Sequence, residues 1–202
     1  MQALSRVSLA VAAGEIHALV GENGAGESTL TKIIAGVYQP DEGQIEFGAE
    51  IVHWASPGVA KRHDIHVIYQ ELVLFPNLSV AENIFLGHER SGGLGMVDHR
   101  RTVEDAREVL RRLGAALDPR RRVGDLTVAD QQMVAIAKAL VHNVKLLILA
   151  EPTAVISGRE VTLLSERLHA LQRDGVATIY ILHLLAPAGG DFFYLRQRQR
   201  AE

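Results

Sequence analysis

The stretch GENGAGESTL, residues 21–30, joins two segments of different periodicity. Before it lies IHALV, residues 16–20, short and apolar enough for a buried strand. After it, STLTKIIAG brings Leu30, Ile33 and Ile34 onto one face of a helix that Gly36 stops. Strand, glycine loop and helix form the context in which G-x-x-x-x-G-[K]-[ST] marks a phosphate loop, met here at Gly21, Gly26 and Ser28. Glycines let the backbone fold round an anion without Cβ clashes. Successive N–H groups then form a concave nest, and the helix N-terminus adds partial positive charge. Ser28 offers a hydroxyl to Mg²⁺. Glu27 stands where the loop's cation belongs, so by itself the stretch reads equally as an ordinary glycine-rich strand-to-helix turn.

The remainder of the chain continues the alternation. VSLAV, residues 7–11, reads as a strand turned back at Gly14, and QPDEGQIEFGAEIVHW reads as a hairpin after the Pro40–Gly43 turn. IHVIYQ is a further strand that ends at Gln70. Helical character then runs from about Leu78 to His142 through SVAENIFLG, RRTVEDAREVLRRLG and VADQQMVAIAKALVHN, the last opening near Ala129. KLLILA is an apolar run suited to a strand buried on both faces, followed by the exposed acid Glu151. REVTLLSERLHALQRDG reads as a helix, and VATIYIL as another buried strand that ends at His183. This pattern predicts an α/β fold with a mainly parallel sheet and a helical insertion. Functional groups of open α/β sheets collect at the carboxyl ends of strands. The glycine loop, Gln70, Glu151 and His183 all follow such ends.

Composition narrows the function classes. With 48% hydrophobic and 22% charged residues among 202, the chain has ordinary globular usage and enough length for one α/β domain with an insertion. A net charge of −3 favours no nucleic-acid partner, and the arginines at 100–101, 111–112 and 120–122 read as solvated faces. The absence of cysteine excludes disulfides and thiolate metal sites. No apolar run reaches the roughly 18–20 residues that span a bilayer, and MQALSRVSLAVAAGE lacks the features of a signal peptide. His17, His53, His63, His66, His88, His99, His142 and His169 show no metal-ligand spacing, and Trp54 reads as a packing residue.

The ordered segments resemble the ATP-binding cassette of ABC transporters, and within them the first cassette of monosaccharide importers of the ribose, xylose and galactose type. GEIHALVGENGAGESTL is similar to the Walker A segment, and VIYQELVLFPNLSVAENIFLG to the Q-loop with its helical continuation. GDLTVADQQMVAIAKAL is similar to the signature, LLILAEPTAVIS to Walker B with the D-loop, and IYILH to the switch-histidine segment. The resemblance runs from about residue 3 to 185. It implies a P-loop NTPase (RecA-like) core at 1–74 and 143–187, a helical subdomain at 75–142 and a divergent tail at 188–202. It further implies that Gly21, Glu22, Asn23, Gly24, Ala25, Gly26, Glu27, Ser28 and Thr29 wrap the ATP phosphates, with Ser28 and Gln70 at Mg²⁺. Glu151 would polarise the attacking water and His183 would sense the γ-phosphate. Leu126, Thr127, Val128, Ala129 and Asp130 would face a nucleotide held by a second cassette. The partners implied are that second cassette and a transmembrane permease, and the location is the cytoplasmic face of the membrane.

Several positions depart from the resemblance. Glu27 replaces the Walker A lysine, Ala150 the Walker B aspartate, and Leu182 the serine before the switch histidine. The N-terminal segment lacks the aromatic that stacks on adenine, and the pattern stops after His183, so the fold is expected to be truncated at both ends. Two unit charges about 4 Å apart interact by roughly 4 kcal/mol at an effective dielectric of about 20, and exchanging Lys for Glu reverses that sign. Three readings stay open: an impaired ATP-hydrolysing import subunit, an inactive module docking on a permease or second cassette, and a fragment without activity.

Overall fold

The computed structural model describes residues 3–21, 26–69, 73–89, 91, 96–150, 168–183 and 193–194. Its contacts divide the chain into two compact units. One comprises Met1–Tyr69, Val144–Val155 and Gln172–Glu202, and the other Gln70–Asn143 and Ile156–Leu171.

The first unit is built on a parallel sheet. Strands β1 (Ile16–Gly21), β4 (Ile65–Ile68), β5 (Leu146–Leu149), β6 (Ala177–His183) and β7 (Phe193–Tyr194) pair in the order β4-β5-β6-β1-β7. All four pairings are parallel. Strand β5 is buried along its whole length, which is why LLIL shows no polar alternation. On one sheet face, Leu19, Ile65, Leu146, Ile148, Ala177, Ile179 and Ile181 form a core with Trp54 and Ala60. Leu30 and Ile34 of α1 (Glu27–Ile34) pack against this core, as does the antiparallel hairpin β2 (Ile45–Phe47) with β3 (Glu50–Val52). Helix α2 (Pro57–Arg62) adds Val59 and Ala60, and its Pro57 occupies the first helical position, where no N–H bond is lost. Trp54 is 1% exposed, edge-on to Phe47 and tilted against His63. Its carbonyl accepts from the Gln39 amide.

Two expectations need correction. Residues 7–11 form no strand: Leu9 and Val11 rest against the core cluster while the backbone makes no ladder, so the alternation records packing rather than pairing. The tail, expected to leave the strand-helix rhythm, contributes β7 on the outer side of β1, with His17 opposite Phe193 and Ala18 opposite Tyr194. Main-chain pairing needs no side-chain period, and an open strand edge offers unpaired N–H and C=O groups to any nearby segment. The helix expected from residue 159 is seen only over 168–173; its earlier part lies outside the described residues.

The second unit is helical, with α3 (Val80–Ile84), α4 (His99–Arg112) and α5 (Val128–Leu140) packed on one another. Asn83 is fully buried and fully used. Its Oδ1 accepts from the Phe75 amide, and its Nδ2 donates to the carbonyls of Phe75, Leu78 and Ser79. Ser79 and Glu82 form a reciprocal capping box at the start of α3. Among the described residues, no helix is long and apolar enough to cross a membrane.

The capping box makes a testable pair. Hydrogen bonds from the Ser79 hydroxyl and amide hold the Glu82 carboxyl below its ordinary 4.5. A carboxyl depressed on folding stabilises the fold above its unfolded value, and that contribution is lost as the pH falls through the folded value. Ser79→Ala is expected to cost about 1 kcal/mol at neutral pH. In urea titrations the gap from wild type should narrow below pH 4.5. A gap independent of pH would contradict this.

Candidate functional site at the carboxyl edge of the sheet

Because β4, β5, β6 and β1 are adjacent and parallel, their carboxyl ends share one edge of the sheet. Ile68 pairs with Leu149, and Leu149 with Tyr180. Strands β6 and β1 continue beyond that level and end side by side, with His183 opposite Gly21. The sheet register thus brings together the strand that enters the glycine loop and the strand that ends in the predicted switch histidine. Gln70 and Glu151, expected just beyond β4 and β5, lie outside the described residues, as do Glu22, Asn23, Gly24 and Ala25.

The loop delivers the chain to α1 through Gly26. This residue caps the helix in a left-handed conformation, φ 101° and ψ 1°, with no side chain to satisfy the first-turn amides. Those amides have no partner within a helix and point out of its end. A Cβ at Gly26 would meet Leu4 Cδ2 at 2.6 Å and the Ala3 carbonyl oxygen at 2.8 Å, so geometry and space both demand glycine. Contact with Ala3 and Leu4 was not foreseeable from the sequence, which offers no periodic signal there. Ser28 is exposed, and Thr31 is buried with its hydroxyl donating to the Glu27 carbonyl at 2.9 Å.

The charges at this edge are unusual. Glu27 places a carboxylate in the first turn of α1, and its Oε1 is buried without a hydrogen-bond partner. A desolvated, unpaired oxygen is costly. Ala150, at the end of β5, packs against the hydrophobic core, and its N–H donates to the Ile68 carbonyl at 2.9 Å. Tyr180 lies in β6, where burial pushes its phenol up to about 12, so it stays neutral. The glycine-capped start of α1 therefore presents first-turn amides suited to an anion, with a carboxylate at 27 and a methyl group at 150.

The second group of predicted residues lies in the helical unit. Leu126 is buried at 8% exposure, whereas Thr127 and Val128 are exposed. Thr127 caps α5: its Oγ1 accepts from the Asp130 amide at 3.2 Å and donates to the Asp130 carboxylate at 2.9 Å. The helix opens at Val128, one residue before the sequence expectation.

Residues 4–154 match the ABC transporter family, and the chain belongs to it. Members of this family bind ATP with Mg²⁺, and the α/β architecture is that of a P-loop NTPase. The chain is 46% identical over 185 residues to a ribose import ATP-binding protein, RbsA 1, of Streptomyces coelicolor, covering 92% of this chain and 37% of that protein. It is 45% identical over 187 residues to a putative ribose/galactose/methyl galactoside import ATP-binding protein of Halalkalibacterium halodurans, covering 92% of this chain and 36% of that protein. The chain thus spans little more than a third of the curated relatives it matches. Among solved structures it resembles the ADP conformation of MJ1267, an ATP-binding cassette of an ABC transporter, with a TM-score of 0.78 at 25% identity. That alignment covers 91% of this chain and 76% of the other. It also resembles cbiO1 of Clostridium perfringens, part of the transporter complex cbiONQ, with a TM-score of 0.74 at 28% identity, covering 89% and 70%.

Gly26→Ala tests the loop-to-helix junction. The left-handed conformation alone costs roughly 1–2 kcal/mol for a residue with a Cβ, and the backbone clash with Ala3 adds to it. Gly43 has φ +91° with nothing within 4 Å of a Cβ, so Gly43→Ala carries the strain without the clash. In urea unfolding Gly26→Ala should lose more stability than Gly43→Ala. Equal losses would show that the Ala3–Leu4 contact is soft.

Proposed function

We propose that this chain is the ATP-binding cassette, or a remnant of one, of an ABC-type sugar importer, coupled to a transmembrane permease and paired with a second cassette at the cytoplasmic face of the membrane. The observation that carries the reading is the glycine-capped passage from β1 into α1 at the carboxyl edge, beside the end of β6. Similarity to import ATP-binding proteins supports the sugar class. The core is assigned to 1–74 and 143–187, the helical subdomain to 75–142, and the divergent tail to 188–202. Gly21 to Thr29 would bind the phosphates through backbone amides. Ser28 and Gln70 would meet Mg²⁺, which supplies neutralising charge when bound. Glu151 would orient water, and His183 would register the terminal phosphate. Leu126 to Asp130 would belong to the surface offered to the partner cassette's nucleotide, with the Thr127 hydroxyl rather than the buried Leu126 side chain at the front.

Nucleotide binding is proposed to be weak and hydrolysis near background. Phosphoryl transfer depends on positioning and charge neutralisation acting together. Glu27 brings a negative charge to the nest, and Ala150 leaves only a methyl group where the metal's carboxylate anchor would stand. The same two residues favour a second reading: a cassette that has kept its docking surfaces and lost its chemistry.

Replacing Glu27 by Lys reverses the charge beside the phosphates. Allowing for screening, ATP affinity should rise on the order of ten- to several hundredfold, within the roughly 4 kcal/mol that one such charge pair can supply. Equilibrium titration with and without Mg²⁺ reads this directly; unchanged affinity would remove the charge argument. Phosphate release by the unmodified chain should not exceed that of Glu151→Gln. Release that is robust in the former and absent in the latter would establish a working hydrolase.

A further inference from the structure

The helical unit carries a concentration of positive charge that the nucleotide reading does not use. Between residues 100 and 122 there are eight arginines and four acids, a net of +4 in a chain whose total is −3. Several of these arginines have local partners. Arg100 pairs with Glu104, Arg111 makes a fork with Glu108 at 2.8 and 2.7 Å, and Arg121 donates to the Asp125 carbonyl. Arg101, Arg107, Arg120 and Arg122 are all exposed, and no hydrogen bond or ion pair of their side chains is seen among the described residues.

Of these four, Arg107 and Arg120 border one open groove of about 680 Å³ at the C-terminal end of α4, together with Arg111, which Glu108 already engages. Its lining includes Leu110, 1% exposed, Ala115, 8% exposed, and Leu117. Guanidinium groups are planar donors whose geometry matches phosphate oxygens, and two of them around one concavity repel until an anion lies between them. The apolar lining favours a ligand with a hydrocarbon stem behind its charge. Asp118, also in the lining, has its Oδ1 occupied by the Arg120 amide at 3.0 Å, which limits its opposition to an anion.

We propose that the groove between Arg107 and Arg120 binds a phosphate ester on a short apolar stem, the chemistry presented by an anionic phospholipid headgroup. The site lies wholly within the helical unit and does not depend on the ATP reading. Direct guanidinium–phosphate hydrogen bonds are stronger than diffuse attraction to a charged surface, so removing both arginines is expected to weaken binding on the order of tenfold or more.

The test is cosedimentation of the full chain with vesicles of phosphatidylcholine, with and without 30% (about one lipid in three) phosphatidylglycerol. Wild type should bind only the anionic vesicles. Arg107→Gln/Arg120→Gln should lose on the order of tenfold, whereas Arg100→Gln/Arg101→Gln, which removes the same charge outside the groove, should lose far less. Equal losses in the two variants would overturn the groove in favour of diffuse attraction, provided that circular dichroism shows both folded. A parallel calorimetric titration with inorganic phosphate separates the sources. Phosphate binding that requires Arg107 and Arg120, without vesicle binding, would support the groove and assign it to a soluble ligand. Failure to bind either probe would overturn the proposal.

Discussion

The candidate site depends first on the pairing of β1 with β6. Six consecutive residues of β1, from Ile16 to Gly21, lie opposite Thr178 to His183 in parallel register. A shift of one residue would exchange the faces of every side chain, removing Leu19 and Ile181 from the core beneath the sheet. Apolar packing therefore fixes a chemical relationship: the strand that feeds the glycine loop must end beside His183. The long separation in sequence between the two strands means that their loop-closure entropy is repaid only when the core forms.

The loop and its charges obey different constraints. The entry into α1 is set by Gly26, whose left-handed conformation turns the chain into the helix and whose missing Cβ admits Ala3 and Leu4. Nothing in that geometry requires a particular side chain at 27. The helix accommodates Glu27 because a carboxylate in the first turn complements the macrodipole, which offsets part of the cost of its buried, unpaired Oε1. A residue that places negative charge beside the proposed phosphate site is thus acceptable to the fold. Ala150 follows the same logic, since its methyl joins the apolar cluster and its N–H still finds the Ile68 carbonyl. The backbone arrangement at these two residues therefore does not depend on which charge their side chains carry.

The helical unit has its own organising group in Asn83, which ties α3 to the segment from Phe75 to Ser79 through four hydrogen bonds. With those polar demands met internally, the surface of α4 is free to carry dense charge. Part of that charge is paired over one helical turn, as at Arg100–Glu104 and Arg111–Glu108. Such exposed pairs contribute little stability. The unpaired Arg107 and Arg120 therefore stand out through their convergence on one groove rather than through their number.

Much of the architecture was legible in the sequence because burial imposes a period. The apolar run at 146–149, the alternation around the hairpin and the spacing of Leu30 and Ile34 all reported the face each element buries. Residues 7–11 misled for the same reason: Leu9 and Val11 touch the core from a segment that pairs with nothing. Strand β7 left no pattern, since two residues held by main-chain bonds need none. At the site, the sequence by itself determined the glycine loop and the charge at 27, because conformational freedom and charge belong to individual residues. Only the tertiary structure decided that Gly21 ends opposite His183, that Ala3 and Leu4 close over Gly26, and that Arg107 and Arg120 share a groove. Those facts are distances between residues far apart in the chain or on different turns, and packing, not composition, sets them.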